Sequence, residues 1–152
     1  MFKVRVDTGG TFTDCWGRAD HESVPRLVKV LSSGRLRVSV AEWLSPTNLG
    51  IVLPENWTTG DGFFKDYLIE SGNSSAVVEF FDAASCTLNL SGEVIRNPSV
   101  DLHANEEAPV LGARLLTGTA LDKEFPCLDF RLATTRGTNA PVSYTHLRAH
   151  ET

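Results

Sequence analysis

The sequence predicts a mixed α/β chain of the α+β kind: an N-terminal β-meander, an all-β stretch inserted after it, and at least one helix. Three observations carry this expectation. Residues 2–7 alternate apolar and charged, turn-forming clusters punctuate 45–75 without a helical period, and a helix start and stop bracket 105–118.

Phe2, Val4 and Val6 share one face and Lys3, Arg5 and Asp7 the other, the period of a half-buried strand. Thr8-Gly9-Gly10-Thr11 follows, with two glycines free to take the positive φ that tight hairpin turns use. Residues 12–18 read as the returning strand, and Arg26–Leu31, rich in β-branched residues, as a third. From Ser32 to Pro98 the texture changes. Leu36, Val38 and Val40 alternate with Arg35, Arg37 and Ser39, and turn clusters recur at 45–48, 58–62 and 71–75. Segments 77–81 and 86–90 flank Asp82-Ala83-Ala84-Ser85, a four-residue hairpin loop. This spacing predicts a small all-β insertion over 32–98. Asn105 is read as the N-cap of a helix, with Glu106 and Glu107 at the positive end of its dipole, Pro109 in its first turn and Gly118 as its stop. Residues 129–133 read as a short strand that runs into a hydroxyl-rich loop, 134–139.

With 152 residues, 41% of them hydrophobic, and 12 glycines, the chain has the size and composition of one ordinary globular domain. Fourteen lysines and arginines against 19 acids leave a net charge of −5, with no basic run. Neither a nucleic acid nor a membrane surface is therefore expected as a partner. No apolar run approaches the ~18 residues of a membrane span, and no signal-peptide pattern opens the sequence, so a cytoplasmic location is expected. Cys15, Cys86 and Cys127 lie far apart without a CxxC, which fits buried free thiols better than a disulfide framework or zinc site. Trp16, Trp43 and Trp57 are read as packing anchors.

The strongest chemical signal is Asp7-Thr8-Gly9-Gly10-Thr11-Phe12-Thr13-Asp14. A turn here bares the N–H groups of Gly9, Gly10 and Thr11, and two positions without a Cβ let a phosphate approach the main chain. Thr11 and Thr13 alternate, so their hydroxyls can reach the same oxygens. Asp7 and Asp14 can hold Mg²⁺ directly or through water. The same residues also suit a plain Gly-Gly hairpin in a structural β-rich domain. No GxxxxGK[ST] or strand–GxGxxG–helix unit is present, which excludes the P-loop and Rossmann modes.

The run DTGGTFTD closely resembles the N-terminal motif of the hydantoinase A / 5-oxoprolinase family. Residues 133–140, ATTRGTNA, are similar to that family's second signature, GTTxxTNA, with Ala133 standing where glycine is usual. The stretch 106–118 is similar to bacterial 5-oxoprolinase-like members. The DxGGT core is also shared with sugar kinases of the wider actin-like ATPase superfamily. Residues 1–31 and 99–140 would then form part of an actin-like, ribonuclease H-like nucleotide-binding lobe interrupted by 32–98. Residues 141–152 resemble an adaptor-derived, non-native tail and stand outside the fold prediction.

The resemblance implies an enzyme that uses Mg-ATP to phosphorylate a cyclic amide, 5-oxoproline or a hydantoin, and so drive its ring-opening hydrolysis. Gly9, Gly10, Thr11 and Thr13 would cradle phosphate, together with Thr134 and Thr138. Asp7 would hold Mg²⁺, and Asp7, Asp14, Thr135 and Asn139 would be the catalytic set. Arg136 could neutralise developing charge. On local chemistry alone, 134–139 equally suits a hydroxyl-capped turn, with Thr138 or Asn139 as the cap. A hydantoinase B-type subunit or fused domain is the implied partner. An actin-like site needs loops from two lobes, so this chain by itself is expected to be inactive. The alternative is a non-catalytic phosphate-binding domain related to sugar kinases.

Overall fold

The computed structural model describes residues 1–134 and 142–143. Among the described residues the fold is α+β, with a five-stranded open sheet, one helix and a closed six-stranded barrel. In chain order the elements are β1 (Phe2–Thr8), β2 (Phe12–Ala19), β3 (Arg26–Leu31), β4 (Leu36–Ser45), β5 (Asn48–Val52), β6 (Leu68–Ser71), β7 (Ser74–Asp82), β8 (Thr87–Leu90), β9 (Ser99–His103), α1 (Ala108–Thr117), β10 (Leu128–Thr134) and β11 (Val142–Ser143).

The open sheet runs β11-β10-β1-β2-β3. The first three strands form an antiparallel meander, and β10 returns parallel to β1 after α1, Phe2 opposite Leu128 through Thr8 opposite Thr134. Alternation decides which face is covered. Val4, Val6, Cys15, Val28 and Val30 are buried against α1, and Gly112 comes so close to Cys15 that a Cβ there would overlap its sulfur. Lys3, Arg5, Asp7, Asp14 and Lys29 fall on the other face.

The barrel runs β4-β5-β8-β7-β6-β9, antiparallel throughout, and β9 closes it by pairing with both β4 and β6. Ser99–His103, grouped with the lobe by sequence, is thus a barrel strand. Leu49, Ile69, Phe81 and Leu88 are fully buried in it. Phe64 sits edge-on to Phe63, Tyr67 and Phe81, with ring centroids 4.8, 5.3 and 4.9 Å apart. Such geometry adds to the burial each ring already contributes. The chain passes from sheet to barrel at 32–35 and back at 104–107. These crossings touch where Gly34, at φ 84°, meets the Glu106 carbonyl; a Cβ there would overlap that oxygen.

The helix ends as expected, on Gly118 in the left-handed conformation (φ 72°), whose N–H reaches the Arg114 carbonyl. Its start is corrected. The N-cap is Glu107, without a side-chain cap, while Asn105 lies outside the helix at φ 58°. Glu106 lies one residue before the N-cap and accepts two bonds, of 2.7 and 2.8 Å, from the almost fully buried Arg114. The expected positive φ at Gly9 and Gly10 is also corrected, since neither glycine adopts it. All three cysteines are free, but only Cys15 is buried; Cys86 is half-buried and Cys127 exposed. Burial, with the Asp14 charge nearby, pushes the Cys15 thiol up to about 12, so it packs as an apolar filler.

Candidate functional site

The β1–β2 register, Thr8 opposite Thr13, leaves residues 9–12 to turn the chain. The Gly9 N–H donates to the Phe12 carbonyl at 3.0 Å, which closes the turn and commits that amide. A Cβ at Gly9 would lie 2.7 Å from the same oxygen, so glycine is required there for close approach. Gly10 and Thr11 are exposed, and their N–H groups have no partner among the described residues. Nothing lies within 4 Å of a Cβ built at Gly10. Two consecutive exposed residues therefore carry unpartnered amides at the carboxyl end of β1.

Ser32, just past β3, fixes this turn from behind. Its N–H donates to the Thr11 carbonyl (2.8 Å) and its hydroxyl to the Gly9 carbonyl (2.8 Å). With that proton used, the 2.9 Å contact between Thr13 and Ser32 has Thr13 as donor. Thr13 is fully buried and its single proton is committed. Of the four residues expected to cradle phosphate from this motif, Gly10 and Thr11 are open, whereas the Gly9 amide and Thr13 hydroxyl serve the turn itself. Nothing in the sequence singles out Ser32 for that role.

Asp7 and Asp14 stand directly opposite each other on the face away from α1. Like charges in that position repel unless a cation joins them. Lys29, the cross-strand partner of Asp14, supplies one at 2.9 Å. A Mg²⁺ ion fits here only through Asp7 with waters, or by displacing Lys29 from Asp14. No group of three or more His, Cys, Asp or Glu side chains converges as a metal site among the described residues.

Behind the turn, on the α1 side, a cleft of about 560 Å³ opens between sheet and barrel. Thr8, Thr13 and Ser32 line one wall, Arg35 and His103 another, and the first residues of α1 its end. It sits at the carboxyl ends of the parallel pair β1 and β10, where open α/β sheets bind ligands. Arg35 is ion-paired with Glu70, and His103 Nε2 lies 3.4 Å from Glu70 Oε2, outside hydrogen-bond geometry. Burial, and then the Arg35 charge, pulls the His103 pKa below its ordinary value. No local pattern points to either residue, because β6, β9 and the 32–35 crossing meet only through barrel closure.

The second signature contributes less. Thr134 ends β10 beside Thr8, while Thr135, Arg136, Thr138 and Asn139 lie outside the described residues. No protein-family model matches the chain, and neither a curated protein nor a solved structure similar to it was found.

Proposed function

We propose that this chain supplies the phosphate-gripping turn of one lobe of an ATP-dependent cyclic amidohydrolase of the 5-oxoprolinase/hydantoinase type. The carrying observation is the pair of open amides at Gly10 and Thr11, braced by Ser32 and unobstructed above Gly10. Backbone N–H groups fixed in a turn bind oxyanions without reorganising, which is what phosphoryl transfer asks of a protein. The strand order β3-β2-β1-β10, a meander followed by a parallel strand reached after a helix, is compatible with an actin-like, ribonuclease H-like lobe.

ATP would supply the phosphoryl group that turns an inert amide carbonyl into an electrophile. The chain's own part is to hold terminal phosphate oxygens on Gly10 and Thr11. Asp7 and Asp14 would hold a hydrated Mg²⁺ on the opposite face, with Lys29 released. The 560 Å³ hydroxyl-lined cleft is large enough for a compact polar ring. A non-catalytic phosphate binder is the second reading, and the Asp14–Lys29 pair favours it because that carboxylate already has its cation.

Residue-resolved NMR titration with Mg-ATP tests the proposal. Saturable shifts of the Gly10 and Thr11 amides are expected at millimolar affinity, since only one lobe contributes, and Gly10→Val should abolish them. Unshifted amides, or undiminished binding by Gly10→Val, would overturn it.

A further inference from the structure

The sheet face turned away from α1 carries a charge that the linear sequence hides. Lys3 and Arg5 on β1, Arg18 on β2, Lys29 on β3 and Arg131 on β10 all fall on it, because cross-strand partners share a face. Its carboxylates are Asp7, Asp14 and Asp129, so the face is positive on a chain of net charge −5. Two of those carboxylates are already taken. Lys29 holds Asp14 at 2.9 Å, and Asp129 lies 3.2 Å from Arg5 and 3.5 Å from Arg131.

Lys3 and Arg18 are in none of these ion pairs; the β1–β2 register sets them directly opposite each other, with Asp129 opposite Lys3 on β10. Like charges so placed weaken a sheet. Neither makes an ion pair among the described residues; the Glu22 carboxylate feels the Arg18 charge but accepts its hydrogen bond from the Ala19 N–H at 2.7 Å. The two cations line a groove of about 310 Å³ with Arg5, Trp16, Gly17 and Pro25. Its guanidinium groups are fixed in advance: Arg5 donates to the Val4 and Asp129 carbonyls (2.9 and 3.0 Å), and Arg18 to the Glu22 carbonyl (2.8 Å). Two adjacent cations whose nearest carboxylates, Asp129 and Glu22, are engaged with other groups leave room for an anion beside a half-buried indole.

We propose that this groove binds a doubly charged small oxyanion, a phosphate monoester or a dicarboxylate, whose charge joins Lys3 to Arg18 and whose carbon skeleton lies on Trp16. The site is independent of the phosphate turn. Five residue steps along the strand, roughly 17 Å, separate the Lys3–Arg18 rung from the Thr8–Thr13 rung.

Titration of the chain with inorganic phosphate and, separately, with malonate at constant ionic strength tests it by NMR. Saturable shifts at the Lys3, Trp16 and Arg18 amides are expected. A response to phosphate alone assigns a phosphate monoester, and a response to malonate alone a dicarboxylate. Lys3→Glu reverses one of the two charges that face the groove, so anion affinity there should fall roughly tenfold or more. With the phosphate turn silenced by Gly10→Val, the Tm should climb with added anion, and with Lys3→Glu added it should not. Shifts that never saturate, or that persist undiminished in Lys3→Glu, overturn the site.

Discussion

The barrel and the open sheet satisfy their backbones in opposite ways. In the barrel every strand has two neighbours, so no edge is left, and the interior is filled by side chains such as Leu49, Phe81 and Leu88. The open sheet has one face on α1, a charged face without a described cover, and β3 at an edge. Both candidate ligand sites lie on the sheet or at its junction with the barrel. Closure commits amides and charges to neighbours, whereas an open sheet leaves some uncommitted at turns and on faces. Stability should therefore be concentrated in one region and binding in the other.

The sharpest way to break that contrast is through the barrel interior. Phe81 is fully buried and edge-on to Phe64 at 4.9 Å. Phe81→Ala should cost about 3–5 kcal/mol in urea unfolding, since a lost ring leaves a cavity as well as lost transfer energy. A loss below about 1 kcal/mol would mean that the barrel is not the stable region.

Next comes the seam between sheet and helix. A Cβ at Gly112 would overlap Cys15 Sγ, and the Cys15 Cβ lies only 3.0 Å from the same point. Gly112→Ala should destabilise by about 1–3 kcal/mol through overpacking, more than offsetting the better helix propensity of alanine. Cys15→Ala in the same chain should recover part of that loss. A double-mutant cycle with no coupling would show that the helix rides over the sheet more loosely than the contact implies.

The same contrast governs what the sequence could disclose. Alternation at 2–7 reports the buried and exposed faces of β1 because burial there has period two, and Gly118 announces the helix end because its left-handed conformation strains other residues. The hairpin expected to turn at 82–85 is legible to within one residue, since β7 and β8 are chain neighbours that turn at 83–86. Barrel closure is not, since pairing Leu36 with Leu102 is a long-range event that no local pattern encodes. Asn105 has the chemistry of a cap, yet Gly34 packs on the Glu106 carbonyl and Arg114 claims the Glu106 carboxylate, so the helix starts later. The Gly9-Gly10 motif marks where the chain turns, but only hydrogen bonds to Phe12 and from Ser32 reveal which of its groups are committed.

A smaller effect is expected at the junction of the two regions. His103 faces Arg35 from the crossing segment, Glu70 from β6 and Asp101 from its own strand, and it stays neutral in the fold more readily than in the unfolded chain. Below its ordinary value of about 6.5 the unfolded chain takes up a proton that the fold resists. Stability should thus be full above that pH and fall as the pH drops through it. Glu22 and Asp129, whose carboxyls are held below their ordinary values, act only at lower pH. Urea unfolding at about pH 7.5 and pH 5.5 measures the His103 effect, and His103→Asn should flatten it. An equal pH slope in that variant would place the titrating group elsewhere.

The smallest stability effect separates folding from binding altogether. A side chain at Gly10 meets nothing within 4 Å, and Gly10 does not need a positive φ. Gly10→Val should therefore leave the unfolding free energy within about 0.5 kcal/mol of the wild type, as surface changes away from packed features do. Its branched Cβ occupies the space an oxyanion needs beside the Gly10 and Thr11 amides, so phosphate shifts should vanish from an otherwise intact fold. The Lys3–Arg18 groove, roughly five strand residues away, should keep its own anion response in the same sample. A Gly10→Val chain that unfolds early would tie the turn to the fold, and the sheet would then be closed by its hairpin much as the barrel is closed by β9.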